Sequence, residues 1–325
     1  MEEIMNEKAP VCVIGCSGFI GSHVTATLLE RGYSVHGTLR DASDERTHWL
    51  RERVASRAKD DATLTFFSAQ MNDPEALTAA MKGCDGVFMC AGTEKQAPET
   101  IEIMLSGVRT ILQTARSLGI KDVVLTSSTG STNPPGPEPN PKVETKHWSD
   151  PMQQLSVGKF SPAAKTLMEA LALRLMEESE GALRVCIMNP SLVAGPVYQP
   201  ELVMGMKFLR SIIKKERWAD SIPNGSMSVI DVRDLAMLHV KAYENKEASG
   251  RYFGVKKSWS WRDILSTLSQ VYPAYTLPDV PEPEEPAQPT QFDLSRQETL
   301  GVSLRDLPEI LEGVIDELTA RGELS

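Results

Sequence analysis

A glycine-spaced turn between a short apolar run and a helical stretch constrains this chain more than any other feature. Residues 9–14 are apolar, rich in Val and Ile, and lead into Gly15, as a strand buried on both faces does. Gly15, Gly18 and Gly21 follow at three-residue intervals. From Phe19 to Arg31 apolar residues return at helical spacing, Ile20, Val24 and Leu28 among them, and Gly32 stops the helix. Ser34–Leu39 reads as a second strand. Strand, glycine turn, helix and strand within about 30 residues predict a βαβ unit.

The alternation continues down the chain. Strands are expected at Thr63–Phe67, Asp85–Cys90, Asp122–Thr126 and Arg184–Met188, with helices at Pro74–Met81, Ile101–Leu118 and 163–178. This pattern predicts an α/β fold: a Rossmann-type doubly wound parallel sheet with a smaller C-terminal substrate lobe. The expected division is a dinucleotide-binding domain over 1–190, to which 226–245 returns, and a lobe made of 191–225 and 246–325. Proline-rich stretches at 134–141 and 278–290 read as extended connections.

Bulk properties narrow the function. The 325 residues are 41% hydrophobic, enough for a sizeable core, and the formal net charge of −10 argues against a nucleic-acid footprint. No apolar run approaches membrane-spanning length, and the acidic, polar N-terminus is unlike a signal peptide. Five cysteines, odd in number and without metal or disulfide spacing, predict free thiols in a reducing, cytoplasmic setting and no metal site.

In the glycine run, the first glycine permits a tight turn, the second lets backbone approach a pyrophosphate, and the third lets helix and sheet pack closely. The phosphates would sit at the helix N-terminus, where free N–H groups and the helix dipole favour negative charge. That makes Gly15, Ser17, Gly18, Phe19, Ile20 and Gly21 the expected cradle, against the plainer alternative of a packing turn. The second strand ends in Thr38-Leu39-Arg40 rather than in the carboxylate of an NAD site. Arg40, with Arg46 as an added cation, suits a 2′-phosphate, so NADP(H) is expected over NAD(H). The alternative is an arginine paired with Asp41.

Several stretches carry a family likeness. Gly18-Phe-Ile-Gly-Ser-His-Val24, Leu28–Asp41 and Gly83-Cys-Asp-Gly-Val-Phe-Met-Cys-Ala-Gly92 are similar to the extended short-chain dehydrogenase/reductases. So are Leu125-Thr-Ser-Ser-Thr-Gly-Ser-Thr-Asn133, Met188–Pro196, Val229–Ala236 and Ser249-Gly-Arg-Tyr-Phe253. The chain resembles, more narrowly, the dihydroflavonol reductase and cinnamoyl-CoA reductase group, over nearly its whole length. The resemblance implies that Ser128, or its neighbour Ser127, hydrogen-bonds a substrate carbonyl oxygen. It implies that Asn133 contacts substrate, and that Lys165 binds the nicotinamide ribose. Met71, Ala91, Gly92, Pro190 and Val193 would border the cofactor, and Tyr198 the substrate. A small carbonyl or alcohol substrate and a homodimer are likewise implied.

The pattern departs at one point. The family places a tyrosine four residues before the lysine, and position 161 is serine, flanked by Phe160 and Pro162. A serine hydroxyl is a poor proton donor near neutral pH. Ser161-Pro162 reads instead as a helix N-cap followed by proline at the first helical position, which would start this helix late. A second departure is Ser68-Ala-Gln70-Met71, where the family often has an acidic residue near the adenine. His147 reads as a loop histidine, and Arg233-Asp234 as a structural pair. Three readings follow: an NADPH-dependent reductase of a ketone or aldehyde with Ser128, Lys165 and Ser161 at its centre; an NADP(H)-binding regulator or scaffold with weak or no catalysis; and epimerase- or dehydratase-type chemistry on the same scaffold.

Overall fold

The structure, a computed structural model, describes residues 8–59, 61–92 and 96–324, so the acidic segment 1–7 lies outside the described residues. The first half runs β1 (Val11–Ile14), α1 (Phe19–Glu30), β2 (Val35–Leu39), β3 (Leu64–Ser68), α2 (Pro74–Met81), β4 (Gly86–Met89), α3 (Glu99–Ser117) and β5 (Asp122–Thr126). Then come α4 (Pro151–Ser156), α5 (Phe160–Glu177), β6 (Arg184–Pro190), β7 (Leu192–Ala194), α6 (Met204–Ile213), β8 (Ser226–Asp231) and α7 (Val232–Glu244). The chain closes with β9 (Gly250–Gly254), β10 (Lys257–Ser260), α8 (Trp261–Val271), α9 (Ser295–Glu298) and α10 (Leu307–Ala320).

Period-two alternation explains why the central strands are apolar throughout. Val11 and Val13 of β1 enter one apolar layer with Val24 and Leu28 of α1 and Leu238 of α7. Cys12 and Ile14 enter the opposite layer with Ile111 of α3 and Met168 of α5. A strand covered on both faces has no polar side to show. Among the described residues, seven strands form one parallel sheet in the order β3-β2-β1-β4-β5-β6-β9. The direction of strand order reverses between β1 and β4, and the crevice beyond their carboxyl ends is where such sheets take ligands. This is the expected Rossmann-type doubly wound sheet.

The second half differs from expectation in detail. β9 pairs with β6 in the large sheet, although 246–325 was assigned to the lobe. Parallel pairing there follows the α7 crossover, because α7 packs beside α1 on the large sheet. β8, by contrast, lies between β10 and β7 in a separate three-stranded sheet. That small sheet, with α6, α8 and α10, encloses a third core containing Met206, Trp259, Leu265 and Val314.

α5 also departs from its expected start. It begins at Phe160 with Lys159 at the N-cap, and no side chain caps it. Ser161 is therefore not the cap but the second helical residue, and Pro162 is the third, where a missing N–H costs nothing. Gly158, at φ 72°, turns the chain from α4 directly into α5, so the helix needs no Ser cap to start.

Candidate active site

The turn after β1 is fixed by backbone contacts. A Cβ on Gly15, which sits at φ 81°, would lie 2.8 Å from Ala91 Cα, and one on Gly21 would lie 2.2 Å from the Gly15 carbonyl oxygen. The Gly18 N–H donates to the Gly15 carbonyl at 3.0 Å, and Thr38 Oγ1 accepts from the Gly15 N–H at 3.1 Å. Gly18 caps α1 in extended conformation, with no capping side chain and no acidic residue in the first turn. The N–H groups of Phe19, Ile20 and Gly21 therefore open onto the crevice with the positive end of the helix dipole, fit for a phosphate.

Arg40 follows β2 and is exposed. Its expected partner Asp41 instead accepts from the N–H and hydroxyl of Ser43, which hold its carboxyl below the usual carboxylate range. Arg40 forms no ion pair or hydrogen bond among the described residues. Arg46 is not a free second cation: its guanidinium grips Asp44 at 2.7 Å. Met71 packs its methyl into the notch that Gly107 leaves on α3.

Lys165 Nζ donates to the Thr126 carbonyl at 2.8 Å and lies beside Gly92, whose added Cβ would stand 3.6 Å away. Ser161 precedes Lys165 by one helical turn, the i, i+4 spacing that sets two side chains on one helix face. The Ser161 N–H donates to Gln96 Oε1 at 3.2 Å. The two candidate serines separate clearly. Ser127 is buried and donates a short hydrogen bond to Glu169. Ser128 is half-buried and its hydroxyl accepts from the Gly130 N–H at 3.0 Å, leaving its own proton to donate.

Gly130, Pro162, Asn133, Gln154 and Gln96 line one cleft of about 680 Å³, with Val157 at its edge. Its Asn133 is held by Lys142, whose Nζ donates to Asn133 Oδ1 at 2.6 Å. None of the six tyrosines lines this cleft. Tyr198, expected to border the substrate, packs its ring against His23 of α1, with ring centroids 4.5 Å apart. The chain after Pro196 is drawn to α1 because His23 Nε2 donates to the Pro196 carbonyl at 2.9 Å. Pro190 ends β6 against Gly254, and Val193 lies in β7.

Beneath the serine turn lies a buried network that neither spacing nor motif exposed. Glu169 of α5 accepts from Ser127, from Asn189 Nδ2 at 2.7 Å and from Arg251 Nε at 2.7 Å. Asn189 also donates to the Ser128 carbonyl at 3.0 Å, and Arg251 to the carbonyls of Ser131, Glu144 and His147. Burial pushes the Glu169 carboxyl up and the Arg251 guanidinium down, while each holds the other charged. The one signal for Glu169 was a carboxylate four residues past Lys165 on an otherwise inward apolar stripe. His147 is half-buried and structural, its Nδ1 accepting from the Val143 N–H at 2.8 Å. Arg233 pairs with Asp231 rather than with Asp234, whose carboxylate takes Arg305.

Residues 11–254 match the NAD dependent epimerase/dehydratase family. The chain belongs to that family. Its members carry out NAD(P)-dependent redox and epimerase-type chemistry at CH–OH and carbonyl carbons, and this member is an enzyme of that type. It is 30% identical to cinnamoyl-CoA reductase 1 of Petunia hybrida over 97% of this chain and 93% of the relative. To dihydroflavonol 4-reductase of Callistephus chinensis it is 29% identical, over 98% and 90%. Vestitone reductase from alfalfa (Medicago sativa L.) superposes with a TM-score of 0.82 at 25% identity, covering 98% of this chain and all of that one. No helix among the described residues is long and apolar enough to cross a membrane. Among the described residues, no group of three His, Cys, Asp or Glu could hold a metal ion.

Proposed function

We propose that this family member is an NADPH-dependent reductase of a ketone or aldehyde on a small molecule, and that it works without a tyrosine before its lysine. The observation that carries this reading is that the serine turn and the Lys165 helix line one cleft, through Gly130 and Pro162, while Ala91 and Gly92 link the glycine turn to Lys165. The N–H groups of Phe19–Gly21 hold the pyrophosphate, and unpaired Arg40 holds the 2′-phosphate. Lys165 orients the ribose, while Met71, Ala91, Gly92, Pro190 and Val193 border the cofactor. When bound, NADPH supplies the hydride. Ser128 donates to the carbonyl oxygen, and Asn133 contacts the substrate in the cleft.

The carbonyl carbon gains the hydride and its oxygen gains a proton. That proton comes from solvent in the open cleft, with the Ser161 and Ser128 hydroxyls as carriers. A positioned general acid is worth roughly 10²–10⁴-fold, so the reaction persists without one but runs slowly. The relatives named as reductases and the free thiols support a cytosolic carbonyl reductase, and the resemblance supports a homodimer.

A screen of aldehydes and ketones for NADPH oxidation tests this. Ser161→Tyr should raise kcat by roughly tenfold or more, and Lys165→Ala should lower NADPH affinity and turnover together. Arg40→Ala should weaken NADPH binding about tenfold and leave NADH binding unchanged. Tight cofactor binding with no turnover of any carbonyl compound sinks the reductase reading in favour of an NADP(H)-binding regulator, which the serine at 161 favours.

A further inference from the structure

The loop after Pro196 does what no motif assigned to it. Gln199 Nε2 reaches the glycine turn, 2.9 Å from the Ser17 carbonyl oxygen and 3.2 Å from Ser22 Oγ. We propose that Gln199 is a positioning residue for the cofactor, clasping the phosphate cradle to the substrate lobe. The inference rests on the reading that this turn holds a dinucleotide.

The argument is one of peptide planes. The Ser17 carbonyl and the Gly18 N–H belong to one peptide unit. Gln199 holds its oxygen and the Gly15 carbonyl holds its N–H at 3.0 Å. Rotating that unit breaks both bonds. The Phe19 carbonyl and the Ile20 N–H share a second unit, and Ser22 Oγ donates to that carbonyl at 3.0 Å. Gln199 spends its two amide protons on these two anchors, so it sets, directly and through Ser22, the direction in which the cradle's N–H groups point. Its Oε1 is buried with no hydrogen-bond partner among the described residues. A side chain held there despite an unsatisfied oxygen is held by its donors.

The backbone of Gln199 is itself gripped from two sides. Arg321, just past α10, donates to the carbonyls of Val197 (2.7 Å), Gln199 (2.8 Å) and Pro200 (2.7 Å). From the nucleotide side, His23 bonds Pro196, and Arg53 donates to the Tyr198 carbonyl at 3.1 Å. The lobe thus delivers the amide to the turn at a fixed place.

The test uses Gln199→Leu, which keeps the volume and removes both donors, and Ser22→Ala, which removes the relay. The readouts are NADPH affinity by its fluorescence, 2′-AMP affinity as a probe without a pyrophosphate, and amide exchange in the protein without ligand. Gln199→Leu should weaken NADPH about tenfold, leave 2′-AMP affinity unchanged, speed exchange at residues 18–21 and keep Tm within about 2 °C. Ser22→Ala should move the same readouts by about half as much on a logarithmic scale. Unchanged NADPH affinity in Gln199→Leu, or equal losses for NADPH and 2′-AMP, overturns the clasp while the dinucleotide reading stands. A wild-type protein that binds neither NADPH nor NADH overturns both.

Discussion

At the phosphate end of the crevice backbone presses on backbone, whereas at the reacting end side chains hold one another in place. The Gly15 carbonyl would meet a Cβ on Gly21 at 2.2 Å, and Ala91 would meet one on Gly15 at 2.8 Å. The reacting end instead hangs on Ser127, Asn189 and Arg251, all three held by the Glu169 carboxylate. Backbone geometry admits no substitution at those glycines. A side-chain constellation can exchange one member while the fold keeps its register, as α5 keeps Ser161 one turn from Lys165. On the proposed reading, holding the cofactor and using it are thus encoded in different materials, and they can drift apart.

The largest effect on cofactor binding should come from breaking the backbone end. Gly21→Ala forces α1 away from the turn by more than a side chain can absorb, and overpacking of this kind costs about 1–3 kcal/mol of stability. The cradle it displaces should lose NADPH by on the order of a hundredfold in a fluorescence titration. A Gly21→Ala protein that binds NADPH as wild type does would erase the contrast drawn above.

The next effect sharpens the side-chain end. Glu169→Ala leaves Arg251, 2% exposed, without its carboxylate, and stranding a buried charge costs roughly 3–5 kcal/mol. Urea unfolding should show that loss. The double variant Glu169→Ala with Arg251→Met should be more stable than Glu169→Ala alone, because no charge is then stranded. If the double variant is the weaker of the two, the bonds from Arg251 to the carbonyls of Ser131, Glu144 and His147 outweigh the cost of the stranded charge.

The two ends also differ in how readily sequence discloses them. The stretch from Val11 to Leu39 is legible because its signals are local: an apolar run, spaced glycines and helical periodicity lie within one βαβ unit. The place of Arg40 just past β2 is legible for the same reason. The Glu169–Arg251 pair spans 82 residues, and neither residue carries a pattern that names its partner. β9 joins the large sheet against expectation because a five-residue strand does not say which of two sheets it joins. Ser161-Pro162 misled in a specific way. The dipeptide matches an N-cap and N1, but a glycine turn at Gly158 starts the helix two residues earlier. Tyr198 was drawn toward the substrate by its place after Gly195-Pro196, and only the contact with His23 reveals where the loop goes.

The smallest effect compares one histidine from each end. His23 stands at the phosphate end, 3% exposed, with Nε2–H on the Pro196 carbonyl. His239 lies under the reacting end, its Nε2 accepting from Thr126 Oγ1 at 2.8 Å while Nδ1–H donates to the Leu235 carbonyl at 2.8 Å. Burial lowers both to about 4. An unfolded histidine titrates near pH 6.5, so between pH 6.5 and 4 the unfolded chain binds protons that the folded chain refuses. The stability linked to each histidine is complete above pH 6.5 and is lost as pH falls toward 4, by about 1.4 kcal/mol per pH unit. His23→Gln keeps a donor for Pro196 and removes the titration. It should change Tm at pH 7 by about 2 °C or less, and should flatten the fall in stability between pH 6 and 4.5 by one histidine's share. His239→Gln should flatten it equally but cost more at pH 7, since it must also satisfy Thr126 in a fully buried site. An acid limb that keeps its slope in both variants would mean that the carboxylates, not these two rings, set the protein's response to acid.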